Sequence, residues 1–322
     1  MYDEYLVAGS IASRVVKIAK KNIHAGMLVS DLIYFIESKI KEFGGSIAFP
    51  CCVSINSVAS HYTSGLNDNT ILLSGDLVKI DLGVHVNGYI ADTAFSSIVM
   101  GDNPEIIPEN MPGRNDNENL ESTIDKKCQL IDTTSLALEN AISIIREGVT
   151  LSSIGSTIEE TAREKSLYPI PNIMGHSIDR FNLHSGIKIP SYNNNSDYKL
   201  EEGDCIAVEP YLSYSGRDAV AGKSGNIFYY LRRRPFSDDY TCKLLDNISS
   251  RYSRLPFTER HLENYQTNEF KRSFNLLVSA RALYPVPMLL QPDALPVCQF
   301  EHTIIVEKRG CIVTTRVKEE KK

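Results

Sequence analysis

The sequence predicts an α+β fold in which a unit of two helices and a strand is duplicated, with a functional site where the copies meet. Two observations carry this expectation. The segment GMLVSDLIYFIE (26–37) lines up with GVTLSSIGSTIE (148–159) at an offset of 122 residues, sharing a glycine, a serine, a late isoleucine and a glutamate. Each copy is then followed by a Pro-marked turn and strand-like sequence, AFPCCVSIN in one and PIPNIMGHS in the other.

Taken in order, residues 3–22 and 30–42 read as helices. The second sets Leu32, Ile33, Ile36 and Ile40 on one side, and Ser30 is placed to cap its start. A second helical pair spans about 127–147 and 153–166, with Leu136, Leu138, Ile142 and Ile145 in its first member. Two polar tracts interrupt the pattern. Residues 101–123 are rich in Asn, Pro and Asp and read as an inserted loop, and SYNNNSDY (191–198) reads as a shorter one. From about 230 to 290 the pattern is helical again, before the strand VCQFEHTIIVE (297–307). The expected organisation is a main domain over 1–229 and 286–322, with a helical subdomain inserted at 230–285.

Bulk properties exclude several classes. Apolar residues at 42% and charged residues at 23% match an ordinary globular chain rather than a disordered one. A net charge of −6 gives no reason to expect DNA as a partner. No apolar run approaches the ~18 residues of a membrane span, and MYDEYLVAGS lacks the basic start of a secretory signal. Seven cysteines without a C-x-x-C pair fit reduced thiols and a cytoplasmic location. The GKS at 222–224 is not a phosphate loop, because Arg217 stands where that motif needs glycine. The basic run Arg232–Arg234 reads as solvated surface.

The densest chemistry lies in DLVKIDLGVHVNGYIADTAFSSIVM (76–100). Two β-rich runs flank Asn87-Gly88, the strongest short hairpin signal. With that turn, Val86 pairs with Tyr89 and Gly83 with Asp92. Asp81 then shares a face with Asp92 as a diagonal neighbour, roughly 7–8 Å away at the backbone. Ile80, Leu82 and Val84 point the other way, into a core. Two carboxylates converging on one face repel unless a cation lies between them. A pair of ions about 3.5–4 Å apart fits such a gap, although a solvated face of an edge hairpin gives the same pattern. His176 and His184 sit beside glycines near strand ends, Glu209 closes the apolar run DCIAVE, and Glu301 opens a strand. Each alone reads as a satisfied polar residue at a sheet end. Together they form an oxygen-rich, nitrogen-poor set suited to divalent transition ions.

With these residues in view, the chain resembles a known family. AFPCCVSINSVASHYTS, GDLVKIDLGVHVNGYIADTAF, GHSIDRFNLHSGIKIP, EEGDCIAVEP and FEHTIIV are similar, in order, to the signature blocks of type 2 methionine aminopeptidases. The resemblance implies the pita-bread fold, two pseudo-symmetric halves around a dinuclear site, with a helical insert. It implies that Asp81 ligates one metal and His176 and Glu209 the other, while Asp92 and Glu301 bridge them. Glu209 is then the proton acceptor, and His61 and His184 position the scissile amide and stabilise the tetrahedral intermediate. The implied cofactors are two divalent ions, with Co, Mn, Fe, Zn and Ni all suited to the ligands. The implied partner is the N-terminal methionine of nascent chains, preferably before a small residue. A monomer without a membrane partner is expected, and ribosome docking is left open. The start directly at the first helix resembles the archaeal form.

The chain departs from the family pattern at HYTS (61–64), where Pro is common in place of Ser64, and at Phe181, where Tyr is usual. Cys51-Cys52 replaces other small residues. None of these is an implied ligand. Prolidases share the fold and the five ligands but carry a domain ahead of this one. Catalytically silent relatives have lost ligands that are all present here.

Overall fold

The computed structural model describes residues 2–101 and 120–316. Most of the polar tract expected at 101–123 lies outside the described residues. Its last four residues begin a helix instead.

In chain order the elements are α1 (Tyr2–Ala19), α2 (Val29–Glu42), β1 (Ser46–Ile55), β2 (Val58–Ser60), β3 (Leu77–Val86), β4 (Tyr89–Ile98), α3 (Leu120–Ile144) and α4 (Leu151–Arg163). There follow β5 (Tyr168–Pro169), β6 (Gly175–Ser177), β7 (Lys188–Ile189), β8 (Cys205–Val208), β9 (Tyr211–Ser213) and β10 (Val220–Tyr230). Next come α5 (Asp239–Tyr252), a 3₁₀ turn (Glu259–His261), α6 (Asn268–Ser279), β11 (Leu283–Leu290), β12 (Val297–Gln299), β13 (Glu301–Glu307) and β14 (Gly310–Val313).

The duplication expected from sequence is present in the backbone. Helices α2 and α4 start 122 residues apart, at Val29 and Leu151. Each is entered the same way. Gly26 N donates to Leu72 O at 2.8 Å and Val29 N to Thr70 O at 2.9 Å; Gly148 N donates to Leu200 O at 2.8 Å and Leu151 N to Tyr198 O at 3.0 Å. The caps differ from expectation. Ser30 lies inside α2, whose N-cap is Leu28 with no side-chain bond, whereas Thr150 caps α4 by accepting from Ser153 N. Val29 is fully buried, so its packing fixes where α2 begins.

The main sheet is antiparallel in every pairing, in the order β1-β3-β4-β13-β8-β6-β7, with β14 also on β13. Strands β1, β3 and β4 come from the first half and β8, β6 and β7 from the second, so β13 is the seam. One apolar core joins α1 and α2 to the first half (Ile33, Ile36, Val53, Ile80, Leu82, Val84). A second joins α3 and α4 to the other half (Ile142, Ile154, Ile158, Ile206, Val208, Ile304). Leu138, Ile142 and Ile145 are buried as the helical period requires, but Leu136 is half exposed. Two residues from Leu138 is about 200° around a helix, so the two leucines cannot share a face.

A third core, with Phe228, Ile248, Phe257, Phe270, Phe274 and Leu277, lies between α5, α6 and the ends of β10 and β11. The helical pattern of 230–290 stops early, because 283–290 is strand β11 despite Pro285 and Pro287. Both prolines pair only with β10; β2 joins β11 at Leu289 and Leu290 alone, so they occupy an open edge where a missing N–H costs nothing. The expected strand at 297–307 is two strands, broken at Phe300. The Asn193–Ser196 stretch is the loop expected there, with Asn193 and Asn194 side chains accepting from backbone two residues on.

Candidate metal centre

The hairpin forms with the register read from sequence. Asn87 and Gly88 have φ of 52° and 89°, the positive values a two-residue turn of this kind needs. Val86 pairs with Tyr89, Gly83 with Asp92 and Asp81 with Ala94. Gly83 has a steric reason as well, since a Cβ there would lie 2.2 Å from the Phe49 ring.

The seam strand brings the other acids to this face. Glu301 pairs with Ala94 of β4, beside Asp81 and Asp92. Beyond His302 the ladder to β4 is carried by a side chain: Thr303 Oγ1 accepts from Asp92 N at 2.7 Å and donates to Asp92 O at 2.8 Å. His176, on β6, pairs with Ala207 of β8, and Glu209 follows β8 directly. His176 Nε2 lies 3.6 Å from both Asp92 Oδ2 and Glu209 Oε1. Ligating atoms of Asp92, His176 and Glu301 all lie within 4.8 Å of one another. All five residues line one cavity of 440 Å³, together with His61, His184, Cys52 and Tyr211.

The electrostatics of this cluster are those of a cation site. Burial pushes the Asp81 carboxyl up to about 6. Burial and the charges of Asp81 and Glu209 push Asp92 well above the usual range, and Glu209 and Glu301 are raised in the same way. Asp81 Oδ1, Asp92 Oδ1 and Glu301 Oε1 are buried with no hydrogen-bond partner. A buried orphaned acceptor is costly, and four crowded acids with three such atoms fit a divalent cation. His176, pushed down to about 3 by burial and by His184, offers a neutral imidazole.

His61 and His184 both border this cavity. His61 is held in the left-handed region, φ +64°, with Nδ1 3.3 Å from Pro287 O. Burial lowers its pKa, so the ring is neutral. A carbonyl only accepts, which puts the proton on Nδ1 and leaves Nε2 as an acceptor. His184 packs edge-on against His176, centroids 4.2 Å apart, and its Nδ1 is 3.5 Å from Tyr229 Oη. Burial and His61 push it down to about 4.

One residue here escaped the sequence reading. The Gln299 amide donates to Asp81 Oδ2 at 3.2 Å and Glu301 Oε2 at 3.3 Å, fixing the acids of two strands at once. Its backbone is pinned by Ser96, which donates to Gln299 O at 2.8 Å and accepts from Gln299 N at 3.0 Å. The available signal was its spacing: two residues before Glu301 in extended chain shares its face. Cys51 and Cys52 are buried thiols pushed well up by burial, and all seven cysteines are free. Among the described residues no helix is long and apolar enough to cross a membrane.

Metallopeptidase family M24 matches residues 3–308. A methionine aminopeptidase of Methanothermobacter thermautotrophicus is 40% identical over 98% of this chain and 99% of its own length. Among solved structures, a thermophilic Arx1 superposes with a TM-score of 0.78 at 18% identity, covering 99% of this chain and 94% of that one. A methionine aminopeptidase from Rickettsia prowazekii gives 0.66 at 21% identity, covering 98% and 96%. At those identities the two structures speak for the fold alone, and the fold is the two-halved one the sequence implied. The family match, the near full-length archaeal likeness and the buried Asp–His–Glu cluster agree: the chain belongs to metallopeptidase family M24, as a metal-dependent methionine aminopeptidase of archaeal type.

Proposed function

We propose that this aminopeptidase works through two divalent ions held by five residues, trimming the initiator methionine from nascent chains whose second residue is small. Asp81 would ligate one ion and His176 and Glu209 the other, with Asp92 and Glu301 shared between them. The observation that carries this is the close set of Asp92, His176 and Glu301, whose acids keep orphaned buried oxygens while Asp81 and Glu209 line the same cavity. Oxygen-rich ligands with one imidazole suit Mn, Fe, Co, Ni or Zn. Such ions, when bound, supply a water that ionises near neutral pH and polarise a carbonyl.

The protein's own groups do the rest. Glu209, raised by burial and by Asp81, is the carboxylate that accepts the proton of the attacking water. His61 Nε2 accepts from the scissile amide N–H and so fixes the peptide's register. His184, neutral and beside His176, donates to the oxygen that gains charge at the tetrahedral stage. Ile227, Val286 and Leu289 give the same cavity an apolar wall for the methionine side chain. The protein acts as a monomer in the cytoplasm. Residues 1–229 and 286–322 form its catalytic unit and 230–285 an insert, a division supported by the separate core around α5 and α6.

The test is release of methionine from Met-Ala-Ser and Met-Pro peptides by metal-stripped protein, with and without Mn²⁺ or Co²⁺, beside Asp92→Asn. Metal-dependent release that is absent from Asp92→Asn supports the reading. A protein that no ion activates, or an Asp92→Asn variant with full activity, contradicts it.

A further inference from the structure

A buried polar cluster outside the metal centre joins the 3₁₀ turn to the segment carrying His61. Arg260 grips Glu37 of α2 with both prongs, Nη1 donating to Oε2 at 2.6 Å and Nη2 to Oε1 at 2.8 Å. The two side chains are only 3% and 5% exposed. Glu37 also accepts from Cys51 N of β1 at 3.1 Å. Arg260 Nη2 donates in addition to Thr63 Oγ1 at 2.7 Å, and that hydroxyl donates to Cys51 O at 2.7 Å. The bonds close a ring through α2, β1, the His61 segment and the 3₁₀ turn.

The segment so held is under strain. At φ +64° a histidine pays about 1 kcal/mol relative to a right-handed conformation. Such a conformation persists only where its surroundings impose it. Thr63 N donates to Gly225 O at 3.1 Å, Asn226 Nδ2 donates to Thr63 O at 2.9 Å and Val53 N donates to Tyr62 O at 2.9 Å. Strand β10 presses so near that a Cβ at Gly225 would fall 1.6 Å from His61 O. Arg260 supplies the one side-chain donor to Thr63 Oγ1 in this set, and it comes from the region between β10 and β11.

We propose that Arg260 is a positioning residue for His61: by clamping Thr63 against α2 and β1, it holds the His61 imidazole at the metal centre. The proposal rests on the reading of His61 as the group that orients the scissile amide. A rigid bidentate fork suits this task where a lysine does not, because an ammonium cannot span Glu37 and Thr63 in fixed geometry. The turn after α5 thereby becomes part of the catalytic apparatus instead of a peripheral fastening.

The test is a double-mutant cycle of Arg260→Lys and His61→Ala on methionine release by the metal-loaded enzyme, with metal content and Tm measured for each variant. Arg260→Lys is expected to lower kcat by about 10- to 100-fold, the scale of a misplaced catalytic group, with KM changed less than about threefold. In the His61→Ala background the same substitution is expected to change kcat hardly at all, the mark of two residues acting as one. Thr63→Val should reproduce the loss and Thr63→Ser should restore it, and this pair decides the matter if Arg260→Lys does not fold. A lower Tm with unchanged kcat, or losses that multiply independently, overturns the proposal. Full activity in His61→Ala alone overturns the role of His61 first, a result visible before Arg260 is altered.

Discussion

The two halves of the molecule share a helix entry and a sheet, yet they treat the same repeat position in opposite ways. Glu37 near the middle of α2 is buried, bidentate to Arg260, and in contact with His261 at 3.0 Å. Glu159, 122 residues on and at the matching place in α4, stays near the surface, paired with Arg163 one helical turn away at 2.7 Å and with Asn193 N at 3.0 Å. In the first half this position ties the active-site wall to a distant part of the chain. In the second it only steadies its own helix and the adjoining loop. The halves also divide the site's side chains, the first giving the paired aspartates of a hairpin and the second a histidine on β6 and a glutamate just past the end of β8. A duplicated frame therefore fixes where the site lies, while its function depends on the positions where the copies differ.

The largest effects expected are at the shared centre, and they should be blind to the halves. Asp92→Asn from the first and His176→Ala from the second should each lower methionine release by more than about 1,000-fold, or roughly 4 kcal/mol of barrier. A steady-state assay in which only one of them matters would break the picture of a joint site. Next comes the repeat position itself. Glu37→Gln leaves the Arg260 charge buried without its partner and should cost about 3–5 kcal/mol in chemical denaturation.

The same acid carries a pH dependence. Burial alone would raise the Glu37 carboxyl, but His261 and Arg260 outweigh it and bring it to about 2, against an ordinary 4.5. A group depressed on folding stabilises fully above its unfolded value, so this contribution is present above about 4.5 and lost as pH falls towards 2. Stability profiles of wild type and Glu37→Gln should therefore converge in that window. Profiles that stay parallel down to pH 2 would remove Glu37 from the account.

Smaller effects should be symmetric where the frame is. Gly26 and Gly148 have φ of +83° and +81° with open space where a Cβ would stand, so alanine at either should cost about 1 kcal/mol by denaturation. Unequal costs would show that the two helix entries differ more than their hydrogen bonds do. The smallest effect belongs to Glu159→Gln, about 0.5 kcal/mol, as for exposed pairs one turn apart.

Much of this was legible in local pattern. Asn87-Gly88 fixed the hairpin register, hence the shared face of Asp81 and Asp92, because a two-residue turn leaves no freedom in the pairing. The repeat located the halves because each copy keeps its glycine, its late buried isoleucine and its glutamate. What stayed hidden depends on distance along the chain. Glu37 and Arg260 are 223 residues apart, and Gln299 and Asp81 are 218, so no local period betrays them. Strand β11 was masked by its prolines, tolerable only on an edge that the sequence does not display. Ser30 looked like a cap, but the burial of Val29 set the helix start one residue earlier.

The central claim is that one centre with two ions is held by residues of both halves and the seam. Anomalous diffraction from crystals loaded with Mn²⁺ tests it directly. Two adjacent peaks are expected, enclosed by Asp81, Asp92, His176, Glu209 and Glu301, with Asp92 and Glu301 touching both. A single peak, or peaks that leave Asp92 and Glu301 without a metal, would contradict it.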